Sequence, residues 1–183
     1  MTRARTSTSA CASAACGQLV EGWNEQAFHR SVHRLATPRK QKSFEACRAG
    51  LSSWARGKEL SARRAPNVTW AAAGLEVRVN PELRLSVDGR QFATKLYFKM
   101  PELSAERRDN ILCLLAETAP PGVEAAILDA RRGELITAEQ PDPDLDALLI
   151  SEAAAFAALL AVGQDDADPP LPAAELPPLR VAA

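Results

Sequence analysis

The 183-residue chain is poor in the groups that most often carry acid–base or nucleophilic chemistry. Histidine occurs only at His29 and His33, tyrosine once, and aromatic residues make up 5% of the chain. No G-x-S-x-G, P-loop or G-x-G-x-x-G motif is present, which excludes a nucleophile elbow and the common glycine-rich phosphate loops. No run approaches the roughly 18 apolar residues of a membrane span, and the most apolar segment, 153–162, is short and mostly alanine. Arg3 and Arg5 are followed by Ser, Thr and Ala, so the apolar centre of a secretory signal is missing; an Arg- and Ser-rich, acid-poor transit peptide is the only targeting segment this composition suits. Four cysteines without a secretion signal read as reduced thiols. A soluble, cytoplasmic chain is expected.

The chain does contain 46% hydrophobic residues over a length suited to one domain. Its clearest structural signal is Leu75 to Lys99. Leu75, Val77 and Val79 alternate with polar residues, as do Leu83, Leu85 and Val87, and then Phe92, Thr94, Leu96 and Phe98. Asp88-Gly89 between the last two runs predicts a type I′ hairpin turn, because both residues tolerate positive φ. Counting back from the turn places Val87 opposite Arg90, Leu85 opposite Phe92 and Glu82 opposite Lys95.

Apolar spacing predicts one helix from Leu19 to Leu35, crossing Gly22, and a second over 38–56 with Phe44, Cys47, Leu51 and Trp54 on one face. Residues 58–67 read as a linker. Ser104 caps a helix to about Ala119, Val123–Ala130 and Glu134–Glu139 form a hairpin around Arg131-Arg132-Gly133, and a last helix ends at Gly163. That helix is expected to bury Leu145, Leu148, Leu149, Phe156, Leu159 and Leu160. The fold class is therefore α+β, a single domain over residues 19–163 with a mostly antiparallel sheet covered by helices, in the order α-α-β-β-β-α-β-β-α. Residues 1–18, rich in Thr, Ser and Ala, are expected to be a disordered tail. Residues 164–183 are expected to be an acidic, proline-rich one, whose PPLP and LPPLR stretches suit a polyproline-II ligand.

Net charge is −1, but residues 1–64 carry 12 Lys/Arg against 4 Asp/Glu and residues 65–183 carry 10 against 19, so a basic third precedes an acidic remainder. A basic third suits a polyanion, with Arg34, Arg39, Lys40, Lys42, Arg63 and Arg64 as phosphate contacts. It equally suits attraction to the acidic part of the same chain or of another subunit, which is the assembly-module alternative.

Two spacings resemble known sites. Cys11, Cys16, His29 and His33 read C-x4-C-x12-H-x3-H, similar to a two-Cys-two-His zinc finger, and would imply a tetrahedral Zn²⁺ site; Val20 and Gln26 stand where such a finger needs its aromatic and its leucine. The order helix, three strands, helix, strand over residues 38–130 resembles PD-(D/E)XK nuclease-like proteins, which implies Mg²⁺-dependent hydrolysis with Glu82 as the acid of the second strand and Lys95 as the catalytic lysine. Ala93 stands where that motif needs its second carboxylate. VRVNPELRL followed by KLYFK is also similar to a stretch of uncharacterised proteins of high-GC bacteria, a likeness that implies no activity.

Overall fold

A computed structural model describes residues 7–35, 38–138 and 143–165. The α+β class and the expected order of elements are present, with one further helix at the N-terminal end and two further strands before Leu75. The elements are α1 (Ser7–Glu21), α2 (Glu25–Leu35), α3 (Pro38–Ala55), β1 (Leu60–Arg64), β2 (Val68–Ala72), β3 (Leu75–Val79), β4 (Leu83–Val87), β5 (Arg90–Tyr97), α4 (Ala105–Thr118), β6 (Glu124–Asp129), β7 (Glu134–Thr137) and α5 (Pro143–Asp165). A five-stranded sheet runs β1-β4-β5-β6-β7, antiparallel except for the parallel pair β5–β6, and β2–β3 is a separate hairpin.

The β4–β5 register is the one the Asp88-Gly89 turn predicts, with Val87 opposite Arg90 and Leu85 opposite Phe92. Both turn residues have positive φ, 50° and 85°. Asp88 also ties the neighbouring edge strand to the turn, its Oδ1 accepting from Glu59 N at 2.9 Å and its own N–H donating to Glu59 O at 3.0 Å.

Three sequence expectations need correction. Residues 7–18 are not a disordered tail: they form most of α1, whose Ala15, Cys16 and Leu19 are buried against the sheet. The helix expected across Leu19–Leu35 is two helices. Gly22 has φ +98°, and the chain restarts on Asn24, whose Oδ1 accepts from Ala27 N at 2.9 Å; Trp23 before the cap packs on Phe28 one turn in, 5.3 Å between rings. The linker at 58–67 contains β1, paired with β4 along its whole length, while β3 pairs with β2 instead of β4. Residues 1–6 and the proline-rich stretch after Asp165 lie outside the described residues.

The sheet has two covered faces. On one, Leu83, Leu85, Phe92, Leu96, Ala126 and Leu128 meet α1, Phe28 of α2, and Phe44, Cys47, Leu51 and Trp54 of α3. On the other, Ala125 and Ile127 of β6 meet Leu112 and Leu115 of α4, with Val79, Val68 and Trp70 of the hairpin closing the cluster. Each large side chain so buried contributes about 1.5–3 kcal/mol. β6, covered on both sides, is apolar from Ala125 to Leu128, as a strand buried on both faces requires. Towards the other edge of the sheet, the same second face of β1 and β4 presents only Ser61, Arg63, Arg84 and Ser86.

The expected burial of α5 is only partly met. Leu149 and Ala153 are buried, but Leu148, Phe156, Leu159 and Leu160 are exposed, because the helix runs past the hairpin and α4 that cover its first half.

Candidate functional site: a cationic cleft beside β5

Glu82 and Lys95 are brought together as the register requires. The β4 ladder begins at Leu83, opposite Thr94, and the Glu82 N–H donates to Thr94 O at 3.0 Å, so the paired backbone ends before the Leu96 N–H, which needs an acceptor. The Glu82 side chain fills the place: Oε2 accepts from Leu96 N at 2.9 Å and Oε1 from Lys95 Nζ at 2.7 Å, with Asn80 O a second acceptor for Lys95 at 3.1 Å. The pair is half-buried and lies at the carboxyl end of the parallel strands β5 and β6.

Lys95 also lines a cleft of about 590 Å³. Tyr97 and Ile127 form its floor, Lys99 and Leu103 of the following loop one wall, and Arg107, Asn110 and Ile111 of α4 the other. Three cations and an amide thus face a partly apolar hollow, and no carboxylate among the described residues lines it. The α4 N-terminus stands beside it, capped by Ser104 Oγ, which accepts from Arg107 N at 3.4 Å. The volume lies within the range of small-molecule and nucleotide sites.

The loop over the cleft is held in place from below. Tyr97 donates its hydroxyl to Pro101 O at 2.6 Å, and Arg132 bonds Met100 O at 3.0 Å and Glu102 Oε1 at 2.9 Å. Arg132 is in turn fixed by Asp129, 2.7 Å away and buried, whose other oxygen accepts the backbone N–H groups of Arg131 and Arg132 at 3.0 and 3.1 Å. Arg131 reaches across to Ser43 O and Oγ on α3. An Asp at the end of a strand followed by Arg-Arg-Gly is the sequence signal of this knot, since Asp accepts readily from N–H groups two and three residues on. Lys99, Arg107 and Asn110 left no such signal.

The remaining sequence candidates are dispersed. Arg34 and Lys42 are exposed on α2 and α3; the side chains of Arg39 and Lys40 lie outside the described residues. Arg63 and Arg64 leave β1 on opposite faces, Arg64 on the side of Leu60 and Ala62, Arg63 on the bare side. Arg63 and Arg64 therefore do not share one face of the sheet. Among the described residues no ion pair joins 1–64 to 65–183, so no direct contact of this kind neutralises the basic third.

Among the described residues no group of three or more His, Cys, Asp and Glu side chains could hold a metal ion. Cys16 is buried among α1, α2 and the sheet, and burial, with a smaller push from Glu82, raises its thiol to about 11, against the thiolate that zinc takes. His29 and His33 are exposed with their rings 6.2 Å apart, and the Cys11 side chain lies outside the described residues. Ala93 shares a face with Lys95 and offers no second carboxylate to Glu82. No helix among the described residues is long and apolar enough to cross a membrane.

Comparison with protein-family models, curated proteins and solved structures found no match.

Proposed function

We propose that the protein binds nucleic acid in the β5–α4 cleft, with Lys95, Lys99 and Arg107 taking backbone phosphates. The observation that carries this reading is the lining of the cleft, three cations and Asn110 with no carboxylate among the described residues, over the apolar surfaces of Tyr97, Leu103 and Ile111. Cations track the backbone, an amide can read a base edge, and apolar and aromatic surfaces accept a base face. The reading involves no catalytic step: Glu82 keeps Lys95 in position and competes with phosphate for it.

The test is fluorescence anisotropy of labelled single-stranded DNA, duplex DNA and RNA at two salt concentrations. The full chain should bind with a salt-dependent affinity, and the double variant Lys95→Met/Arg107→Met should flatten the log–log salt slope by about 1.5, as expected for two lost phosphate contacts. A loss of slope in Arg34→Gln/Lys42→Gln instead would move the contact to the helices. Absence of binding by the full chain at low salt would end the nucleic-acid reading.

One observation favours a second reading, self-association. From Ala154 to Ala161 almost every α5 residue is exposed, Phe156 at 54% and Leu159 at 70%, with no charge between Glu152 and Asp165. A helix apolar on all sides is normally covered. An uncharged end offers nothing to select a charged partner, whereas a second copy presents the same face about a twofold axis.

A further inference from the structure

On the bare half of the sheet, two successive rungs carry a set of hydrogen-bond donors. Ser61, Ser86 and Gln91 lie side by side across β1, β4 and β5; two residues along, Arg63 lies directly opposite Arg84. These side chains line a hollow of about 140 Å³ with no carboxylate in its wall among the described residues. Neither guanidinium has an acidic partner among the described residues, although carboxylates pair with Arg48, Arg90, Arg108 and Arg132. Like charges directly opposite across a strand pair destabilise it, and no ion pair among the described residues offsets them.

We infer that this shelf binds one phosphate group, either the free ion or the terminal phosphate of a monoester. The chemistry is matched on three counts. A tetrahedral dianion cancels both guanidinium charges, whose planar forks suit bidentate pairing with phosphate oxygens. The two hydroxyls and the amide supply donors for the remaining oxygens. The hollow is of a size for one such group, in contrast to the larger cleft beside β5. The site does not depend on the nucleic-acid reading, since its residues and those of the cleft do not overlap.

The experiment is isothermal titration of the full chain at low ionic strength with inorganic phosphate and, separately, with glycerol phosphate, alongside thermal melting. Arg63→Gln and Arg84→Gln are compared with Arg56→Gln, an exposed cation elsewhere with the same loss of charge. Saturable binding by the wild type and by Arg56→Gln, weakened at least about tenfold in each shelf variant, supports the site. Tighter binding of glycerol phosphate identifies a monoester as the source; preference for inorganic phosphate identifies the free ion. The melts add a signature that a solvated arginine would not give. Without phosphate the shelf variants should melt above the wild type, and added phosphate should reverse the order. No saturable heat with either probe, or equal binding by all three variants, would overturn the inference. Oligonucleotide binding that survives in the shelf variants leaves the cleft reading standing whatever the outcome here.

Discussion

Glu82 divides its carboxylate between Lys95 Nζ and the Leu96 N–H, and the two roles respond differently to loss of charge. Glu82→Gln keeps an acceptor for the backbone and removes the ion pair, so it should cost about 1 kcal/mol in urea denaturation. The same change frees Lys95, so oligonucleotide binding should tighten, whereas Lys95→Met should weaken it; anisotropy on the two variants reads these opposite signs. Cys16 gives a pH signature. Its thiol, raised by burial from 9.0 to about 11, contributes stability that is fully present below pH 9 and is lost as pH rises through 11. Denaturant midpoints at about pH 8 and about pH 10.5 should differ less in Cys16→Ala than in the wild type. At this scale the Glu82–Lys95 pair was legible because Asp88-Gly89 fixes a register and alternation does the rest. Lys99, Arg107 and Asn110 were not, because their meaning depends on where α4 packs against β5, which no local pattern states.

Among elements, the closest approach is between α3 and the β6–β7 turn. A Cβ on Gly50 would run into the carbonyl oxygens of Ala130 and Arg131, and one on Gly133 into the backbone of Gly50. Gly50→Ala should therefore cost about 3 kcal/mol by thermal or chemical denaturation, although alanine is the better helix former. The β2–β3 turn predicts the opposite sign. Ala73 sits at φ +50° before Gly74, so Ala73→Asn should stabilise by about 0.5–1 kcal/mol in the same assay. Ala-Gly is also why this hairpin was not legible: its geometry matches Asp88-Gly89, but the residue that signals it is missing. β1 was hidden because its outward positions are Ser61 and Arg63 and its inward ones only Leu60, Ala62 and Arg64, too few apolar residues to show a period of two. The three-helix layer was half legible. The α3 stripe is fully buried as expected, whereas α1 carries small residues that look like coil until a sheet lies against them.

For the molecule as a whole, the exposed end of α5 sets an expectation about oligomeric state. Sedimentation velocity across a concentration series should show reversible dimerisation, and Phe156→Glu should keep the chain monomeric at unchanged unfolding midpoint; a monomer at all concentrations would end the self-association reading. The class of fold was legible because it depends on periodicity and turns, which are local. The pairing of β1 with β4, by contrast, encloses the whole β2–β3 hairpin, and a chain read in order expects neighbours in sequence to pair. That same connectivity has a consequence for synthesis. α1 leaves the ribosome before the sheet, yet Ala15, Cys16 and Leu19 join a cluster that also needs Leu83 and Leu85 of β4 and Ala126 and Leu128 of β6. The nascent chain thus carries α1 without its sheet partners while most of the sheet is made, so a helix translated before the sheet is among the last to be protected, and any nascent-chain chaperone would meet the chain at α1.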